Sequence, residues 1–250
     1  MTPPGRSAAA RAAPRVYVDR TLGPGVDCTL GANASRHVQV LRLQPGAALV
    51  VFDGSGGQWQ AQIVRIGRRD VVVRVGAHEA LEREIACRVT LALGMPANER
   101  MDGLIEKATE LGVHSIQPLV CERSVLRVAG ERAERKAAHW HAVAAAACEQ
   151  CGRNRVPAIQ APLPLADWLG QGDVGAARWL LSLTGDARPL PPPPLPAAVW
   201  ALSGPEGGLS AAEEAAACAA GYQPIALGAR VLRADTAPLA VLAWIALEAP

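Results

Sequence analysis

Two strand–loop–helix units near the end of the chain constrain its fold more than any other feature. The apolar run at residues 199–203 leads into the loop 204–208, Gly-Pro-Glu-Gly-Gly, and a second apolar run leads into the loop 226–238, which carries Arg230 and Arg233. Glycine lets main-chain N–H groups approach a ligand, because no Cβ stands in the way. A single loop of this kind is most simply an ordinary βα turn, whereas two in successive units favour a ligand site.

From residue 88 onward, strand-length apolar runs alternate with helical patterns. Strands are predicted at 88–93, 115–120, 156–160, 178–184 and 199–203, and helices at 98–111, 131–151, 165–169 and 211–220, with a last helix from about residue 235. Strands that alternate with helices predict an α/β fold, with a mostly parallel sheet and helices on both faces.

The position of the glycine loops is unusual for a nucleotide-binding sheet. A dinucleotide site carries G-x-G-x-x-G after its first strand, but residues 94–98 read Gly-Met-Pro-Ala-Asn. The glycine loops instead follow the last two strands, so the ligand site is predicted near the C-terminal end of the chain. Ser210 and Glu213 also predict a capping box at the start of the helix after the first loop.

Residues 15–80 follow a different pattern, in which short strands are separated by glycine-rich turns. This spacing predicts a small β-barrel or compact sheet, with one short helix at 35–43. Residues 1–80 hold ten arginines and five acidic residues, whereas the rest of the chain is acidic on balance. A basic module suits phosphate binding, although a solvated basic surface has the same composition. The charged run 79–84 places the domain boundary near residue 80.

Composition argues against several other classes of protein. Residues 1–14 are predicted to be a disordered tail, with a transit peptide as the weaker alternative. No apolar run approaches the length of a membrane span, so no membrane association is expected. The six scattered cysteines indicate reduced thiols in a cytoplasmic protein. Cys148 and Cys151 form a C-x-x-C, but a zinc site lacks its second pair of ligands and a redox site lacks its preceding strand, so no metal is expected.

Five motifs carry a resemblance to a known family that covers the chain from about residue 15 to the end. They are Arg36-His37 with Val40-Leu41-Arg42-Leu43, Lys107-Ala108-Thr109-Glu110-Leu111-Gly112, Glu149-Gln150 with Gly152-Arg153, Gly204-Pro205-Glu206-Gly207-Gly208, and Leu227-Gly228 with Arg230, Leu232-Arg233 and Thr236-Ala237-Pro238. In this order and spacing they resemble the RsmE family of bacterial 16S ribosomal RNA methyltransferases, within the SPOUT superfamily.

The resemblance implies a PUA-like RNA-binding β-barrel at 15–80 and a SPOUT methyltransferase domain at 81–250 whose last segment forms a trefoil knot. It also implies a homodimer that uses S-adenosyl-L-methionine to methylate uracil N3 at one uridine of 16S ribosomal RNA, within the small ribosomal subunit. By position, the cofactor contacts would be Gly204, Pro205, Glu206, Gly207, Gly208, Leu227, Gly228 and Leu232. The RNA contacts would be Arg36, His37, Arg42, Glu149, Gln150 and Arg153.

The reaction itself suggests catalytic residues. Methyl transfer to uracil N3 requires an in-line approach to the sulfonium methyl group and loss of the imide proton. An arginine beside a uracil carbonyl would stabilise the developing anion, so Arg233 and then Arg230 are the candidates. Pairing of one of them with Glu206 or with a carbonyl group is the alternative role. No residue stands out as the general base.

Some alternatives stay open. Another SPOUT enzyme, acting on ribose 2′-oxygens or on transfer RNA, would share the knot, and a non-catalytic RNA-binding protein would share the basic module without needing two glycine loops. Arg153 could instead be a structural cation near the end of a helix. The departures from the family pattern are Ala97 or Asn98, where lysine is usual, Cys151, where serine is more frequent, and Asp235 in place of glutamate.

Overall fold

The computed structural model describes residues 13–96, 98–126, 128, 130–171 and 175–249, without the side chains of Asn98 and Glu99. The chain forms two compact units that divide between Glu82 and Arg83, two residues after the boundary expected from the sequence. Most of the predicted disordered tail, along with Ala97 and the side chain of Asn98, lies outside the described residues.

The N-terminal unit is a barrel-like sheet with one helix. Its elements are β1 (Arg15–Tyr17), β2 (Asp27–Thr29), α1 (Ala32–Val40), β3 (Ala48–Phe52), β4 (Gln58–Ile66) and β5 (Val71–Glu79). The strand order is β1-β3-β4-β5-β2, with β1 parallel to β3 and the other pairs antiparallel. Two register shifts along β4 mark bulges, which bend the sheet around its core.

Alternation of apolar and polar residues along the strands explains why one face of this sheet is buried and the other faces solvent. Along β4 and β5, the side chains of Ala61, Ile63, Val71 and Val73 are buried while most of their neighbours face solvent. Because successive side chains of a strand point to opposite faces, the apolar face packs against Val38 of α1. Each buried valine or isoleucine contributes about 1.5–3 kcal/mol through the hydrophobic effect.

Helix α1 begins and ends three residues earlier than the sequence predicted. It ends in a Schellman motif, in which Leu43 N–H donates to Val38 O (3.3 Å) and Arg42 N–H donates to Gln39 O (3.0 Å). Arg42 there has a φ of 55°, which an α-helix cannot continue through. The short strand β2 was not predicted.

The C-terminal unit is an α/β structure. Its elements are β6 (Arg88–Gly94), α2 (Asn98–Glu110), β7 (Ser115–Val120), α3 (Glu131–Cys151), β8 (Ala158–Ile159), β9 (Leu163–Pro164), α4 (Leu165–Leu169), β10 (Ala177–Leu181), β11 (Arg188–Pro189), β12 (Ala198–Ser203), α5 (Ala211–Ala219), β13 (Gln223–Ala226) and α6 (Thr236–Glu248). The strand order is β11-β13-β10-β12-β6-β7-β8, with β9 beside β7, and these pairs are all parallel. The α/β class with a mostly parallel sheet is therefore confirmed, whereas the trefoil knot stays a prediction.

Helices cover both faces of this sheet. Leu91 of β6 and Val199 of β12 pack with residues of α2, α3 and α6. Ala92 lies one position after Leu91 and Leu202 lies three positions after Val199, so both point to the other face, where they pack with residues of α4 and α5. A parallel sheet covered on both faces has strands that read as continuous apolar runs. This is why residues 88–94 and 198–203 contain so few polar side chains.

Candidate functional site

A cavity of about 610 Å³ lies at the carboxyl ends of β13, β10 and β12, which are neighbours in the sheet. Its volume is typical of small-molecule sites. Since the carboxyl ends of parallel strands share one edge, the loops after β12 and β13 meet there, together with residues 181–183 after β10. The two glycine loops that the sequence singled out therefore line one cavity.

The predicted cofactor residues lie around this cavity with one exception. Gly204, Pro205, Glu206, Gly207, Gly208, Leu227 and Leu232 all line it. Gly228 is exposed and is not among the lining residues; its φ of 94° serves the turn of the second loop. This placement is compatible with the predicted contacts, and the contacts themselves stay a prediction.

Close backbone packing requires glycine at two positions of the site. A Cβ on Gly204 would lie 2.8 Å from the backbone nitrogen of Leu209. A Cβ on Gly94, the last residue of β6, would lie 2.4 Å from the backbone nitrogen of Pro205. Neither backbone atom can move aside as a flexible side chain can, so both glycines set the shape of the first loop. Sequence reasoning missed Gly94, whose only signal is its place at the end of a buried strand.

The predicted capping box is confirmed at the start of α5. Ser210 Oγ accepts from Glu213 N–H (3.3 Å), and Glu213 Oε2 accepts from Ser210 N–H (2.9 Å). The other carboxylate oxygen, Oε1, accepts from the backbone N–H of Glu122 at 2.7 Å. The cap therefore also ties the first glycine loop to the turn after β7.

Arg123, in that same turn, contacts the glycine loop directly. Its Nη1 donates to the carbonyl oxygens of Gly207 (3.0 Å) and Leu209 (3.3 Å). Sequence reasoning missed this residue, although a basic side chain just after a buried strand at the same sheet edge was a signal for it. Arg123 and Glu213 together fix the C-terminal end of the loop to the turn after β7.

The cavity is rich in arginine. Arg230 and Arg233 line it as part of the second loop, and Arg100 of α2, which the sequence analysis did not single out, lines it too. The carboxylates of the lining are Glu206 and Glu214. Within the described part of the chain, no ion pair links any of these three guanidinium groups to a carboxylate, and the alternative pairing of Arg230 or Arg233 with Glu206 is not observed. The site therefore suits a ligand with negative charge.

Arg153 has a different environment from the one expected of an RNA contact. Only 3% of the residue is exposed. Its Nη2 and Nε pair with the carboxylate of Glu84, and its guanidinium also donates to the carbonyl oxygens of Thr109 (2.9 Å) and Val113 (3.0 Å). A buried charge is tolerated only when it is paired and hydrogen-bonded. The surroundings support the structural alternative for Arg153 and correct the expectation that it faces the substrate.

The other predicted RNA contacts are accessible. Glu149 is half-buried and Gln150 is exposed at the end of α3. Arg36, His37 and Arg42 are exposed in the N-terminal unit, on α1 or just after it. An RNA contact requires an accessible side chain, and the contact of these residues with RNA stays a prediction.

The cysteines of the described residues are thiols, and the one beside the glycine loop is weakly reactive. All six cysteines are free thiols. Burial, with a smaller effect of the Glu213 carboxylate, raises the pKa of Cys121 to about 12, so this thiol beside the glycine loop is not a nucleophile at neutral pH.

Across the described ranges, no group of histidine, cysteine and acidic side chains has the arrangement of a metal site. In the same ranges, no helix combines the length and apolarity that crossing a membrane requires.

Comparison with known proteins identifies the family. A family model described as an RNA methyltransferase domain matches residues 83–246, and one described as an RNA methyltransferase PUA domain matches residues 30–76. The ribosomal RNA small subunit methyltransferase E of Synechocystis is 35% identical over 212 residues, which is 83% of this chain and 68% of the relative. The chain belongs to the RsmE family.

Solved structures agree with membership of the RsmE family. The ribosomal RNA small subunit methyltransferase E of Neisseria gonorrhoeae, bound to S-adenosylmethionine, superposes with a TM-score of 0.87 at 34% identity, covering 93% of this chain and 96% of that one. A Legionella pneumophila protein with bound S-adenosylmethionine superposes with a TM-score of 0.88 at 31% identity and the same coverage. The RsmE fold therefore extends over nearly the whole chain.

Proposed function

We propose that this protein transfers a methyl group from S-adenosyl-L-methionine to N3 of one uridine in 16S ribosomal RNA. As an RsmE family member, it is an S-adenosylmethionine-dependent ribosomal RNA methyltransferase; the uracil N3 target is the finer part of the proposal. The observation that carries it is the cavity at the strand ends, where two glycine loops converge with three arginines that form no ion pair with a carboxylate of the described residues.

The cavity residues fit the cofactor. Backbone groups of residues 204–208 stand beside the apolar side chains of Ile225, Leu227 and Leu232. Such a lining suits a ligand with a flat purine ring and a polar amino-acid part. When bound, S-adenosylmethionine supplies an electrophilic methyl group on a sulfonium centre. In this proposal, the two loops hold the cofactor while Arg230 and Arg233 face the RNA.

The arginines act on the uracil. Loss of the N3 proton leaves a negative charge that is shared with the two flanking carbonyl oxygens, and a guanidinium beside one of these oxygens can donate a charge-assisted hydrogen bond to it while N3 stays free to attack the methyl group. We assign this role first to Arg233 and then to Arg230, both exposed at the cavity. A preorganised donor lowers the barrier because it meets the charge as it develops. Glu206 and Glu214 are the carboxylates of the lining, and they are the candidates to accept the imide proton.

The RNA contacts in this proposal come from both units. Arg36, His37 and Arg42 would bind in the N-terminal unit, and Glu149 and Gln150 would bind in the C-terminal unit, with the small ribosomal subunit in the cytoplasm as the setting. Four of these side chains are exposed and Glu149 is half-buried, so RNA can reach them without unfolding. Filter binding of 16S ribosomal RNA and of small subunits would compare the two substrates.

We also infer that the protein is a homodimer. The resemblance to the RsmE family supports this inference. Val231, at the cavity, and Leu247, on α6, are 79% and 81% exposed and would be checked for burial in a dimer. Sedimentation equilibrium measures the mass directly. A monomer at micromolar concentration would contradict this part of the proposal.

The test of the function is the position of the transferred methyl group. Small subunits that lack the modification are incubated with the protein and S-adenosylmethionine carrying a deuterated methyl group, and the nucleosides are mapped by mass spectrometry. Labelled 3-methyluridine in 16S ribosomal RNA is the expected product. Label on a ribose or on transfer RNA would indicate another SPOUT activity, and failure to bind S-adenosylmethionine in calorimetry would indicate a non-catalytic RNA-binding protein.

A further inference from the structure

We propose that the hydroxyl group of Ser203 forms a hydrogen bond with the purine ring of the cofactor and so helps the site to select an adenine nucleoside. Ser203 is the last residue of β12 and directly precedes the first glycine loop. It is not one of the predicted cofactor contacts, which begin at Gly204. The inference rests on the use of S-adenosylmethionine in the proposed function, and it names one further residue of that same cavity.

Ser203 is buried, yet its hydroxyl group has no partner in the described part of the chain. Only 4% of the residue is exposed, and it lines the cavity. No backbone or side-chain group of the described residues forms a hydrogen bond with Ser203 Oγ. The atom is not enclosed by protein on every side, so it opens onto the cavity. Because buried hydroxyl groups are nearly always hydrogen-bonded, this one points to a ligand.

The other buried serines of the described residues differ from Ser203 in this respect. The side-chain oxygen of each of them bonds to a group of the protein, as is seen at Ser35, Ser124, Ser182 and Ser210. Ser182 is the closest comparison, because it lines the same cavity and its Oγ lies 2.9 Å from Thr184 Oγ1. Ser203 is therefore the exception among serines that the fold otherwise satisfies.

Ser203 belongs to a row of side chains at the ends of three neighbouring strands. Ile225 of β13 pairs with Leu181 of β10. Leu181 comes one residue after Leu180, and Ser203 comes one residue after Leu202, which is the partner of Leu180. Paired residues of neighbouring strands point to the same face of a sheet. Since Ile225, Leu181 and Ser203 all line the cavity, we call this row the floor of the cavity.

Apart from the hydroxyl group, the floor and its surroundings are apolar. Leu93 of β6 pairs with Ser203 on the side away from Leu181, and it is 1% exposed. The charged side chains of the lining lie on loops and helices instead, at Arg100, Glu206, Glu214, Arg230 and Arg233. A ligand in this cavity therefore meets apolar side chains and a hydroxyl group at the floor, and charged groups elsewhere.

The cofactor has the same division of character. S-adenosylmethionine has a flat purine ring at one end and a charged amino-acid part at the other. The edge of the ring farthest from the ribose carries an amino group and the ring nitrogen N1. A serine hydroxyl group can donate one hydrogen bond and accept others, so Ser203 can bond to either of these groups. We therefore assign the floor to the purine ring and the charged loops to the amino-acid part.

The first test compares two serine-to-alanine variants of the full-length protein. Ser203→Ala removes a hydroxyl group that has no partner in the described residues, so the thermal midpoint without ligand should stay equal or rise. Calorimetry should show about fivefold weaker binding of S-adenosylmethionine, since one hydrogen bond to the ligand is lost. In the control Ser115→Ala, Oγ is 2.8 Å from Thr90 Oγ1 at the other end of the sheet. We expect that control to lower the thermal midpoint and to leave cofactor affinity within about twofold of wild type.

Two results of this comparison would overturn the inference. The first is an affinity for S-adenosylmethionine that stays within about twofold of wild type in Ser203→Ala. The second is an equal loss of affinity in Ser115→Ala, because the effect would then come from a general change in the sheet. The thermal midpoints show that both variants are folded, so neither result can be attributed to unfolding.

The second test locates the contact on the ligand. The probes are 5′-methylthioadenosine, which lacks the amino-acid part, and two analogues of it that lack the 6-amino group or the ring nitrogen N1. We expect Ser203→Ala to weaken 5′-methylthioadenosine about fivefold and to weaken one of the analogues by less than about twofold, because that analogue has already lost the bond. Equal losses for all three probes, or no loss for 5′-methylthioadenosine, would place the contact on the ribose or the amino-acid part and overturn the assignment.

Failure of the inference and failure of the proposed function give different results. Both tests measure binding and stability without RNA, so they do not depend on which atom is methylated. A wild-type protein that binds S-adenosylmethionine but labels an atom other than uracil N3 would count against the proposed target alone. Unchanged cofactor binding in Ser203→Ala, with labelled 3-methyluridine as the product, would count against the inference alone.

Discussion

Arg123 donates a hydrogen bond to the carbonyl oxygen of Gly207 across 3.0 Å, joining the turn after β7 to the first glycine loop. The two residues also pack closely, because a Cβ added at Gly207 would lie 3.0 Å from the Cβ of Arg123. The conformation of the loop therefore depends on a residue more than eighty positions earlier in the chain. A ligand held by this loop is held indirectly by Arg123.

Replacing Arg123 should weaken cofactor binding. In Arg123→Met, the Gly207 and Leu209 carbonyls lose their charged donor, and we expect the affinity for S-adenosylmethionine to fall about tenfold, or about 1.4 kcal/mol. Arg123→Lys should recover part of the loss. Calorimetric titration measures the affinity, with Arg132→Met on the exposed side of α3 as a control of equal charge change. Unchanged affinity in Arg123→Met would contradict this positioning role.

Adding a methyl group at Gly204 should be more damaging. The new Cβ in Gly204→Ala meets backbone at 2.8 Å, so the loop must shift, with a cost of about 1–3 kcal/mol in stability and a loss of cofactor affinity. Gly103→Ala is the matched control, since no atom lies within 4 Å of its Cβ and alanine favours the interior of α2 by about 1 kcal/mol. Thermal melts with and without S-adenosylmethionine separate the two effects. If S-adenosylmethionine raised the thermal midpoint of Gly204→Ala as much as that of wild type, the first glycine loop would not be part of the cofactor site.

Arg153→Met should destabilise the C-terminal unit. The substitution leaves Glu84 in a partly buried site without its cation, which costs about 2–4 kcal/mol after allowance for the exposure of Glu84. Arg153→Met/Glu84→Leu should recover part of this loss, as measured by urea unfolding. We expect the salt slope of RNA binding to stay unchanged. A smaller salt slope of RNA binding in Arg153→Met, with an unchanged free energy of unfolding, would instead support the expectation that Arg153 contacts RNA.

Arg233→Ala should lower the methylation rate by about 100-fold while cofactor affinity stays within about twofold of wild type. The reason is that the guanidinium is proposed to stabilise charge that develops only during the reaction. Single-turnover assays with saturating RNA measure the chemical step. A rate within about twofold of wild type, a difference well under 1 kcal/mol, would remove Arg233 from the mechanism.

The cysteines should differ sharply in reactivity. Burial raises the pKa of Cys121 to about 12, so its reactive thiolate becomes abundant only in strongly alkaline solution. Cys218 is exposed on α5. Brief treatment with iodoacetamide near pH 8, followed by peptide mass spectrometry, should modify Cys218 and leave Cys121 intact. Rapid labelling of Cys121 under native conditions would show that the turn after β7 opens readily.

Local sequence patterns determined most of the secondary structure. The bounds of β7 (Ser115–Val120) and α3 (Glu131–Cys151) coincide with their predicted ranges. The periodicities of strand and helix, with glycine and proline as breaks, depend only on neighbouring residues, so one sequence suffices to read them. The short strands β2, β9 and β11 were missed, because two or three residues carry no periodicity and become strands only by pairing with a neighbour.

The sequence by itself singled out the two late glycine loops that line the cavity, because their glycines and arginines are local signals. Only the tertiary structure decided which distant residues complete it. Gly94, Arg100 and Arg123 reach the loops through the parallel order of the sheet, which brings the carboxyl ends of separate strands to one edge. Arg153 shows the reverse case, since its charge suggested a surface contact and the fold buried it against Glu84. The sequence specifies which residues are charged, but whether a charged side chain is buried or paired depends on contacts between distant residues.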